Sequence, residues 1–225
     1  MRKAFLAHPG EIAGVIVEPI QGESGIHPCD GDYLYDVLKI ARRNGAVLIC
    51  DEVQSGIYRC GEFPFAHQTA GISPDIVTCA KGIASGFPMG ACVARMEVAE
   101  VFEPGDHGST FGGSNLAMAA AYATLSTLKK GSFATDVQEL GFYFGDELMK
   151  IDGITDVRGS GLMVGADLEE GIDAHKVVEE GLEAGFLLNA TGGNTLRFLP
   201  PLICTKKEID ILIEALPALL EAARS

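Results

Sequence analysis

The sequence is short of positive charge. Its 225 residues include 17 Lys and Arg against 31 Asp and Glu, which gives a formal net charge of −14. Because a phosphate backbone is bound mainly through Lys and Arg, this deficit argues against a nucleic-acid-binding protein. Apolar residues make up 47% of the chain, an ordinary share for a globular protein. The length allows one large or two small domains.

Paired cysteines and an uninterrupted apolar span are also missing. The six cysteines show no C-x-x-C spacing, so we expect free thiols in a reducing compartment, the cytoplasm. The most apolar stretch, residues 76–94, contains Lys81 and several Gly and Pro residues, so we do not expect it to cross a membrane. No Walker loop is present, and the glycines at 159, 161 and 165 miss the dinucleotide-binding spacing by one residue.

What is present is a pair of apolar runs that each stop at a charged residue. The run 46–50 ends at Asp51, and the run 76–80 ends at Lys81. Both read as buried strands, and the thirty residues between them match one crossover unit. Since ligands of open α/β sheets sit at the carboxyl ends of parallel strands, we expect Asp51 and Lys81 to share one edge.

A lysine and an aspartate at such an edge match the needs of pyridoxal phosphate. The lysine amine forms an imine with the cofactor, and the aspartate keeps the pyridine nitrogen protonated. Each residue also has a plainer interpretation. Lys81 alone more often extends its amine into water, and Asp51 alone is more often a helix cap or turn residue.

Several blocks resemble class III aminotransferases, pyridoxal-phosphate enzymes of the aspartate aminotransferase fold (fold type I). Three blocks resemble the class: 51–54 (DEVQ), 80–82 (AKG) and 108–113 (GSTFGG). Two further blocks, 17–23 (VEPIQGE) and 196–202 (LRFLPPL), resemble the acetylornithine and ornithine aminotransferase branch. The resemblance covers essentially the whole chain and implies an α/β fold.

The resemblance also implies roles for individual residues. Lys81 would carry the cofactor and move the proton between substrate and cofactor, Asp51 would pair with the pyridine nitrogen, and Gln54 would contact the phenolic oxygen side of the ring. Glu23 and Arg197 match a pair in which the glutamate covers the arginine for one substrate and uncovers it for the 2-oxoglutarate carboxylate. Arg offers bidentate carboxylate binding, which agrees with that use; a structural salt bridge is the alternative.

A glycine-rich polar loop, residues 105–115, precedes a predicted helix at 116–128. Free backbone amides and hydroxyls before a helix suit a phosphate, although an ordinary capped loop has the same composition. The resemblance implies that Thr110, with Ser109, binds the phosphate of the neighbouring subunit's cofactor. That role in turn implies a homodimer with shared active sites.

The order of the elements predicts a mainly parallel sheet with helical cover, followed by a smaller α+β unit. Strands are expected at 13–17, 46–50, 76–80 and 91–94 in the first part, with a helix capped by Asp32. In the second part, strands are expected at 155–158, 162–168, 186–189 and 195–198, and helices at 133–150, 174–184 and after the capping box 205–208. Residues 1–130 would be the C-terminal part of the cofactor-binding large domain, and residues 131–225 the small domain.

The chain is shorter than the resemblance leads us to expect. Chains of this family are nearly twice as long, so we expect a truncated or split chain with weak cofactor binding and little activity alone. The first functional hypothesis is an acetylornithine aminotransferase of arginine biosynthesis, which transfers the terminal amino group of N-acetylornithine to 2-oxoglutarate. The alternatives are ornithine or 4-aminobutyrate transamination, and a non-catalytic fragment that pairs with a complementary half.

Overall fold

The computed structural model describes residues 1–224, in which helices and strands alternate. None of the helices in this range is long and apolar enough to cross a membrane. The helices are α1 (Arg2–Ala7), α2 (Gly31–Arg43), α3 (Met96–Ala99), α4 (Asn115–Lys130), α5 (Phe133–Leu148), α6 (Ala174–Glu183) and α7 (Lys206–Ala222). The strands are β1 (Gly14–Val17), β2 (Ile20–Gln21), β3 (His27–Pro28), β4 (Val47–Asp51), β5 (Ile76–Cys79), β6 (Ala91–Ala94), β7 (Ile154–Ser160), β8 (Met163–Leu168), β9 (Ala190–Thr191) and β10 (Thr195–Phe198).

The chain divides into two units, and each contains a four-stranded sheet. Unit 1 comprises residues 1–19, 29–57 and 65–131. Unit 2 comprises residues 20–28, 58–64 and the residues from Ser132 onward. Two 3-10 helices, Ala66–Ala70 and Lys81–Ala84, belong to unit 1.

The sheet of unit 1 has the order β1-β4-β5-β6. Strands β1, β4 and β5 run parallel, and β6 is an antiparallel edge strand. All four strands lie within one residue of their predicted bounds, and the mainly parallel α/β fold is confirmed. Along β4, Leu48 and Cys50 are buried in a cluster with α2, whereas Val47 and Ile49 are only half-buried. The strand that the sequence predicted to be buried is thus buried on the face toward α2 and half-buried on the other face.

Helix α2 begins two residues earlier than the sequence suggested. Its N-cap is Asp30, whose side chain accepts hydrogen bonds from the backbone N–H of Asp32 (2.8 Å) and of Tyr33 (3.2 Å). Asp32, the predicted cap, lies in the first turn instead, where a negative charge still faces the positive end of the helix dipole. When two aspartates lie two positions apart, the sequence alone does not show which of them is the N-cap.

The sheet of unit 2 is antiparallel, with the order β7-β8-β10-β9. Its core includes Phe144 of α5, which packs edge-on against Phe198 of β10 with ring centroids 5.2 Å apart. The predicted helices and the Thr205–Glu208 capping box are confirmed, and α7 continues through Pro217.

The strand predicted at 186–189 is wrong. The backbone N–H of Phe186 donates to the carbonyl of Gly181 at 2.7 Å, so this segment is still tied to the end of α6. The neighbouring strand is the two-residue β9, which pairs with β10. The apolar residues directly after α6 therefore continue from the end of the helix and do not form a strand.

The cysteines are free thiols. Cys50, Cys60 and Cys79 are buried, and Cys92 is exposed. Burial, with a contribution from the nearby Glu52, raises the pKa of Cys50 to about 12. A thiol with such a pKa stays protonated and packs as a small apolar group.

Helix α5 approaches the turn between β7 and β8 through a glycine. A Cβ atom on Gly141 would lie 2.2 Å from the carbonyl oxygen of Gly161, a distance at which real Cβ atoms are not found. Four residues later on the same helix, a Cβ atom on Gly145 would lie 3.9 Å from its nearest neighbour, a Val157 methyl carbon. Only the first glycine is required by packing.

We predict opposite effects for the two substitutions. Gly145→Ala gains helix propensity without a clash, so it should stabilise unit 2 by about 0.5–1 kcal/mol. Gly141→Ala gains the same propensity but must displace the 159–161 backbone, and overpacking of this kind costs roughly 1–3 kcal/mol or more. Urea unfolding of both variants tests the pair; equal effects would contradict the packing argument.

Asp75, the residue directly before β5, connects strand β4, helix α2 and the residue after β6 through one carboxylate. One oxygen accepts from the backbone N–H of Leu48 (2.8 Å), and the other accepts from Arg42 (2.9 Å) and Arg95 (3.1 Å). Burial favours the neutral acid, but the hydrogen bonds from Leu48, Arg42 and Arg95 outweigh it, so the pKa of Asp75 lies below its usual value. A carboxyl group with a depressed pKa stabilises the folded state while it is ionised.

Acid should therefore weaken unit 1 through Asp75. Its contribution is fully present above the unfolded pKa of about 3.9 and is lost as the pH falls through the lower pKa of the folded state. We expect Asp75→Asn to lose about 1–3 kcal/mol near neutral pH and to show a shallower fall in unfolding free energy below pH ~4. Asp146→Asn, on an exposed position of α5, is the control for loss of one negative charge. Parallel acid profiles for wild type and Asp75→Asn would contradict the assignment.

Candidate functional site

Two predicted site residues lie at one edge of the unit 1 sheet. Strands β4 and β5 run parallel, with Asp51 of β4 paired with Thr78 of β5. Lys81 follows Thr78 by three residues, at the start of the 3-10 helix Lys81–Ala84. The carboxyl ends of two adjacent parallel strands thus carry a carboxylate and, a few residues further on, an amine, at the strand ends where the sequence predicted them.

The two residues are held differently. Asp51 is half-buried, and its Oδ1 accepts the backbone N–H of Val53 at 3.0 Å, which fixes the carboxylate at the strand end. Lys81 is exposed and has a φ of +46°. Positive φ in a residue other than glycine is uncommon and concentrates at functional sites, where the surrounding structure maintains it.

The segment after β4 is fixed by a buried carboxylate. Glu52 has 0% exposure, and both of its oxygens are matched. Oε1 accepts the backbone N–H of His67 (2.7 Å) and lies 2.8 Å from His67 Nδ1. Oε2 accepts the Ser55 hydroxyl (2.6 Å) and the backbone N–H of Ala66 (3.0 Å). Because a buried charge is costly unless it is paired and hydrogen-bonded, this arrangement ties the chain after Asp51 to the helix at Ala66–Ala70.

Only part of this hydrogen-bond network could be predicted from the sequence. Glu52 follows Asp51 directly in the DEVQ block, but no spacing rule connects it with His67, 15 residues away. Gln54 is half-buried three residues beyond Asp51, in the segment that Glu52 holds. Its predicted contact with the cofactor stays a prediction.

Ser109 and Thr110 are exposed in the turn before α4. The turn is closed by its own backbone, with Gly112 N–H donating to Ser109 O at 3.2 Å. Within residues 1–224, neither hydroxyl is hydrogen-bonded to Asp51 or Lys81. Their predicted role in the cofactor site of a neighbouring subunit stays a prediction.

Unit 2 brings together the other predicted pair. Arg197 of β10 donates from Nη1 to Glu23 Oε1 at 2.8 Å and to the carbonyl of Gly22 at 3.3 Å, and its Nε donates to Asn189 Oδ1 at 2.9 Å. The arginine side chain is only 12% exposed, whereas that of Glu23 is 72% exposed. A largely buried guanidinium is therefore paired with a carboxylate whose side chain is mostly in water.

Arg59 proves to be a structural residue of unit 2. Its Nη1 donates to the carbonyls of Leu162 (3.1 Å) and Pro200 (2.5 Å). Burial lowers the pKa of the guanidinium, which nevertheless stays charged because the ordinary value is so high. Arg59 thus joins segments more than a hundred residues apart in the chain.

The sequence family is decided by a model of class III aminotransferases, which matches residues 2–220. The chain belongs to the class III aminotransferases. Similar proteins include the acetylornithine aminotransferase of Corynebacterium efficiens, 44% identical over 212 residues, and that of Methanocaldococcus jannaschii, 46% identical over 208 residues. These matches cover 94% and 91% of the chain but 52% of each relative. The chain therefore spans about half the length of the curated relatives it matches.

Solved structures confirm the fold of this aminotransferase chain. The ornithine aminotransferase of Toxoplasma gondii superimposes with a TM-score of 0.89 at 34% identity, covering 98% of this chain and 53% of that one. The acetylornithine aminotransferase of Elizabethkingia anophelis gives a TM-score of 0.88 at 31% identity, covering 97% and 59%. The expected pyridoxal-phosphate transferase fold of type I is thus confirmed. A second Toxoplasma structure (TM-score 0.88, 34% identity, covering 98% and 53%) is described with partial occupancy of pyridoxal phosphate at its active site.

The residues at the sheet edge of unit 1 suit this cofactor chemically. A half-buried carboxylate can hold a protonated pyridine nitrogen, and an exposed amine can reach a carbonyl group. The negative charge of Asp51 complements the protonated ring nitrogen, and the amine of Lys81 suits the carbonyl group on the opposite side of the ring.

We predict that the aminotransferase chain depends on Glu52 for stability. Glu52→Gln leaves four donor contacts facing one oxygen and one amide, and loss of a buried charged acceptor costs about 2–4 kcal/mol. Ser55→Ala removes a single donor and should cost about 1 kcal/mol. Urea unfolding at neutral pH measures both effects.

The matched control is Glu139→Gln, the same change at an exposed position of α5. It should be neutral within about 0.5 kcal/mol. A Glu52→Gln variant as stable as Glu139→Gln would show that the buried network does not hold the segment.

Proposed function

We propose that this chain carries the aldehyde-binding and carboxylate-binding residues of an acetylornithine aminotransferase. The reaction moves the terminal amino group of N-acetylornithine to 2-oxoglutarate with pyridoxal phosphate as cofactor. The observation that carries the proposal is the placement of Asp51 and Lys81 at the ends of adjacent parallel strands. The names and 44–46% identities of the two relatives described above support the choice of substrate.

In unit 1, the amine of Lys81 and the carboxylate of Asp51 are assigned to different parts of the cofactor. When bound, pyridoxal phosphate withdraws electrons from the substrate carbon that bears the amino group. The amine of Lys81, exposed at the strand end, would hold the cofactor at its carbonyl carbon and, when free, would accept or release a proton at Nζ. The carboxylate of Asp51, oriented by the Val53 N–H, keeps the ring nitrogen protonated. Gln54 is assigned to the phenolic oxygen side of the ring.

In unit 2, Arg197 is assigned to the carboxylate of 2-oxoglutarate and Glu23 to its cover. Arg and carboxylate form paired hydrogen bonds, and the arginine is already desolvated on most of its surface. With Glu23 in place the guanidinium charge is neutralised, which suits an amino donor without a second carboxylate at that position. With Glu23 turned away, the positive charge attracts a dicarboxylate.

Ser109 and Thr110 are assigned to the phosphate group of a cofactor bound mainly by a second copy of the chain. Their exposure and their position in a glycine-rich turn before the 16-residue helix α4 support this assignment. A homodimer with shared sites follows from it. We also assign residues 1–130 to the large domain and 131–225 to the small domain of the family fold.

Ornithine is the second candidate amino donor. The observation in its favour is the close superposition on the Toxoplasma ornithine aminotransferase, at 34% identity over 98% of this chain. The two donors differ in their α-amino group, which is acylated in one and free in the other. Glutamate formation from 2-oxoglutarate with each donor in turn distinguishes them.

The test of the proposed site is chemical labelling of Lys81. The purified chain is mixed with pyridoxal phosphate and reduced with borohydride, and the modified lysine is mapped by peptide mass. We expect label on Lys81 ahead of the other lysines, a clear fall in total label in Lys81→Ala, and a several-fold loss of labelling in Asp51→Asn because the ring loses its anionic partner.

Lys39→Ala, which removes a lysine from the exposed side of α2, is the matched control and should label like the wild type. Label spread evenly over surface lysines, with equal totals in wild type and Lys81→Ala, would contradict the assignment of Lys81.

A further inference from the structure

The loop that carries Glu23 is anchored to unit 2 by its backbone. This loop, residues 22–26, connects β2 with β3 and is called the Glu23 loop below. Arg158 of β7 donates from Nε to the carbonyl of Gly25 at 2.8 Å, and the hydroxyl of Thr191 donates to the carbonyl of Glu23. Two backbone carbonyls of the loop are therefore bound by side chains from the sheet.

Arg158 is itself rigidly held. Its side chain is only 16% exposed, and it forms a paired interaction with Asp167, with distances of 2.6 Å (Nη1–Oδ2) and 2.7 Å (Nη2–Oδ1). Nη1 also donates to Asp156 at 2.8 Å, and Nη2 lies 3.3 Å from the Thr195 hydroxyl. Asp156, Asp167 and Thr195 face one another on three neighbouring strands, β7, β8 and β10. The sheet thus presents a fixed guanidinium to the loop.

The same loop is also closely packed against the sheet of unit 2. Ile26 has 0% exposure and a φ of +58°, an unfavourable conformation for a β-branched residue that persists only where the surroundings enforce it. A Cβ atom on Gly192 would lie 2.2 Å from the carbonyl oxygen of Ser24, and one on Gly165 would lie 3.0 Å from that of Gly25. The backbone of the loop therefore has little room to shift, while the Glu23 side chain is mostly in water.

We propose that Arg158 is a positioning residue that fixes the Glu23 loop on the sheet, so that Arg197 is covered and uncovered by rotation of the Glu23 side chain alone. This inference rests on the proposed roles of Glu23 and Arg197. Arg158 touches neither the Glu23 carboxylate nor Arg197 in the hydrogen bonds described above; it acts through the loop backbone. The hydrogen bonds from Arg158 also lower the pKa of Asp167, which agrees with an ionised Asp167 carboxylate paired with the guanidinium.

A fixed loop has a consequence for substrate choice. If the backbone stays in place, the Glu23 carboxylate is always close to Arg197 and competes with any incoming dicarboxylate. If the loop becomes loose, Glu23 spends less time on Arg197, and the competition weakens. The influence of Glu23 on dicarboxylate binding should therefore depend on Arg158.

The first test is amide hydrogen exchange of the purified full chain. We compare wild type with Arg158→Met, and with Arg158→Met/Asp167→Asn, which avoids leaving the Asp167 carboxylate without its guanidinium partner. We expect exchange in residues 20–28 to become at least tenfold faster in both variants, with α7 unchanged as the sign that unit 2 is folded. The control Arg43→Met removes one positive charge from an exposed position of α2 in unit 1 and should leave residues 20–28 unaffected. Unchanged exchange in this segment in a folded variant would overturn the proposal.

The second test is a double-mutant cycle in which the affinity for glutarate is measured. Glutarate is an unreactive dicarboxylate, and its binding is followed in NMR spectra through the Arg197 Nε–H signal. In the wild-type background, Glu23→Gln should raise glutarate affinity about threefold, as expected for loss of an exposed ion pair. In the Arg158→Met/Asp167→Asn background the same change should have almost no effect. An equal increase in both backgrounds would overturn the positioning role, because a merely structural residue would not alter the influence of Glu23.

The two tests separate the inference from the function on which it rests. Absence of glutarate binding to wild type and to Glu23→Gln alike would contradict the proposed role of Arg197. Hydrogen exchange would still decide whether Arg158 fixes the loop, because it needs neither substrate nor cofactor.

Discussion

A carboxylate without solvent exposure is the constraint on which the strand ends that carry Asp51 and Lys81 depend in this class III aminotransferase chain. Glu52 has both oxygens matched by donors from Ser55, Ala66 and His67. Its neighbour Asp51 can then remain at the strand end with its own oxygen bound to Val53. Since an unmatched charge in this position would cost several kcal/mol, on the order of 3–5, the chain after β4 cannot leave the helix at Ala66–Ala70 without losing much of a typical domain's stability.

Unit 2 also contains a largely buried ion that is hydrogen-bonded on several sides, but this ion is positive. Arg158 is the largely buried ion, and its partners Asp156, Asp167 and Thr195 come from three neighbouring strands. In both units the side chain proposed for chemistry, Lys81 or Glu23, is exposed, and the charged side chain that fixes nearby backbone is largely buried. Rigid backbone with an exposed working side chain allows movement at the site without movement of the fold.

Sequence reasoning found the residues whose signal is local and missed those whose signal is not. The ends of apolar runs located Asp51 and Lys81, and the family blocks located Glu23 and Arg197, which the structure joins at 2.8 Å. Arg158 binds Gly25, 133 residues away in the chain, and Glu52 binds His67, 15 residues away. No periodicity or motif links such partners. The strand predicted at 186–189 failed for a related reason, since the hydrogen bond from Phe186 to Gly181 depends on how α6 ends.

The energies of the two kinds of contact explain why the side chain of Glu23 should move before its loop does. An ion pair with a carboxylate that is 72% exposed is worth at most about 1 kcal/mol, so Glu23 leaves Arg197 readily. Moving the loop would break the Arg158–Gly25 hydrogen bond, a charge-assisted contact worth roughly 1.5–3 kcal/mol, and would expose Ile26, whose burial contributes about 1.5–3 kcal/mol more. The cheaper motion is rotation of one carboxylate, and it is sufficient to expose the charge of Arg197, as the role proposed for this arginine requires.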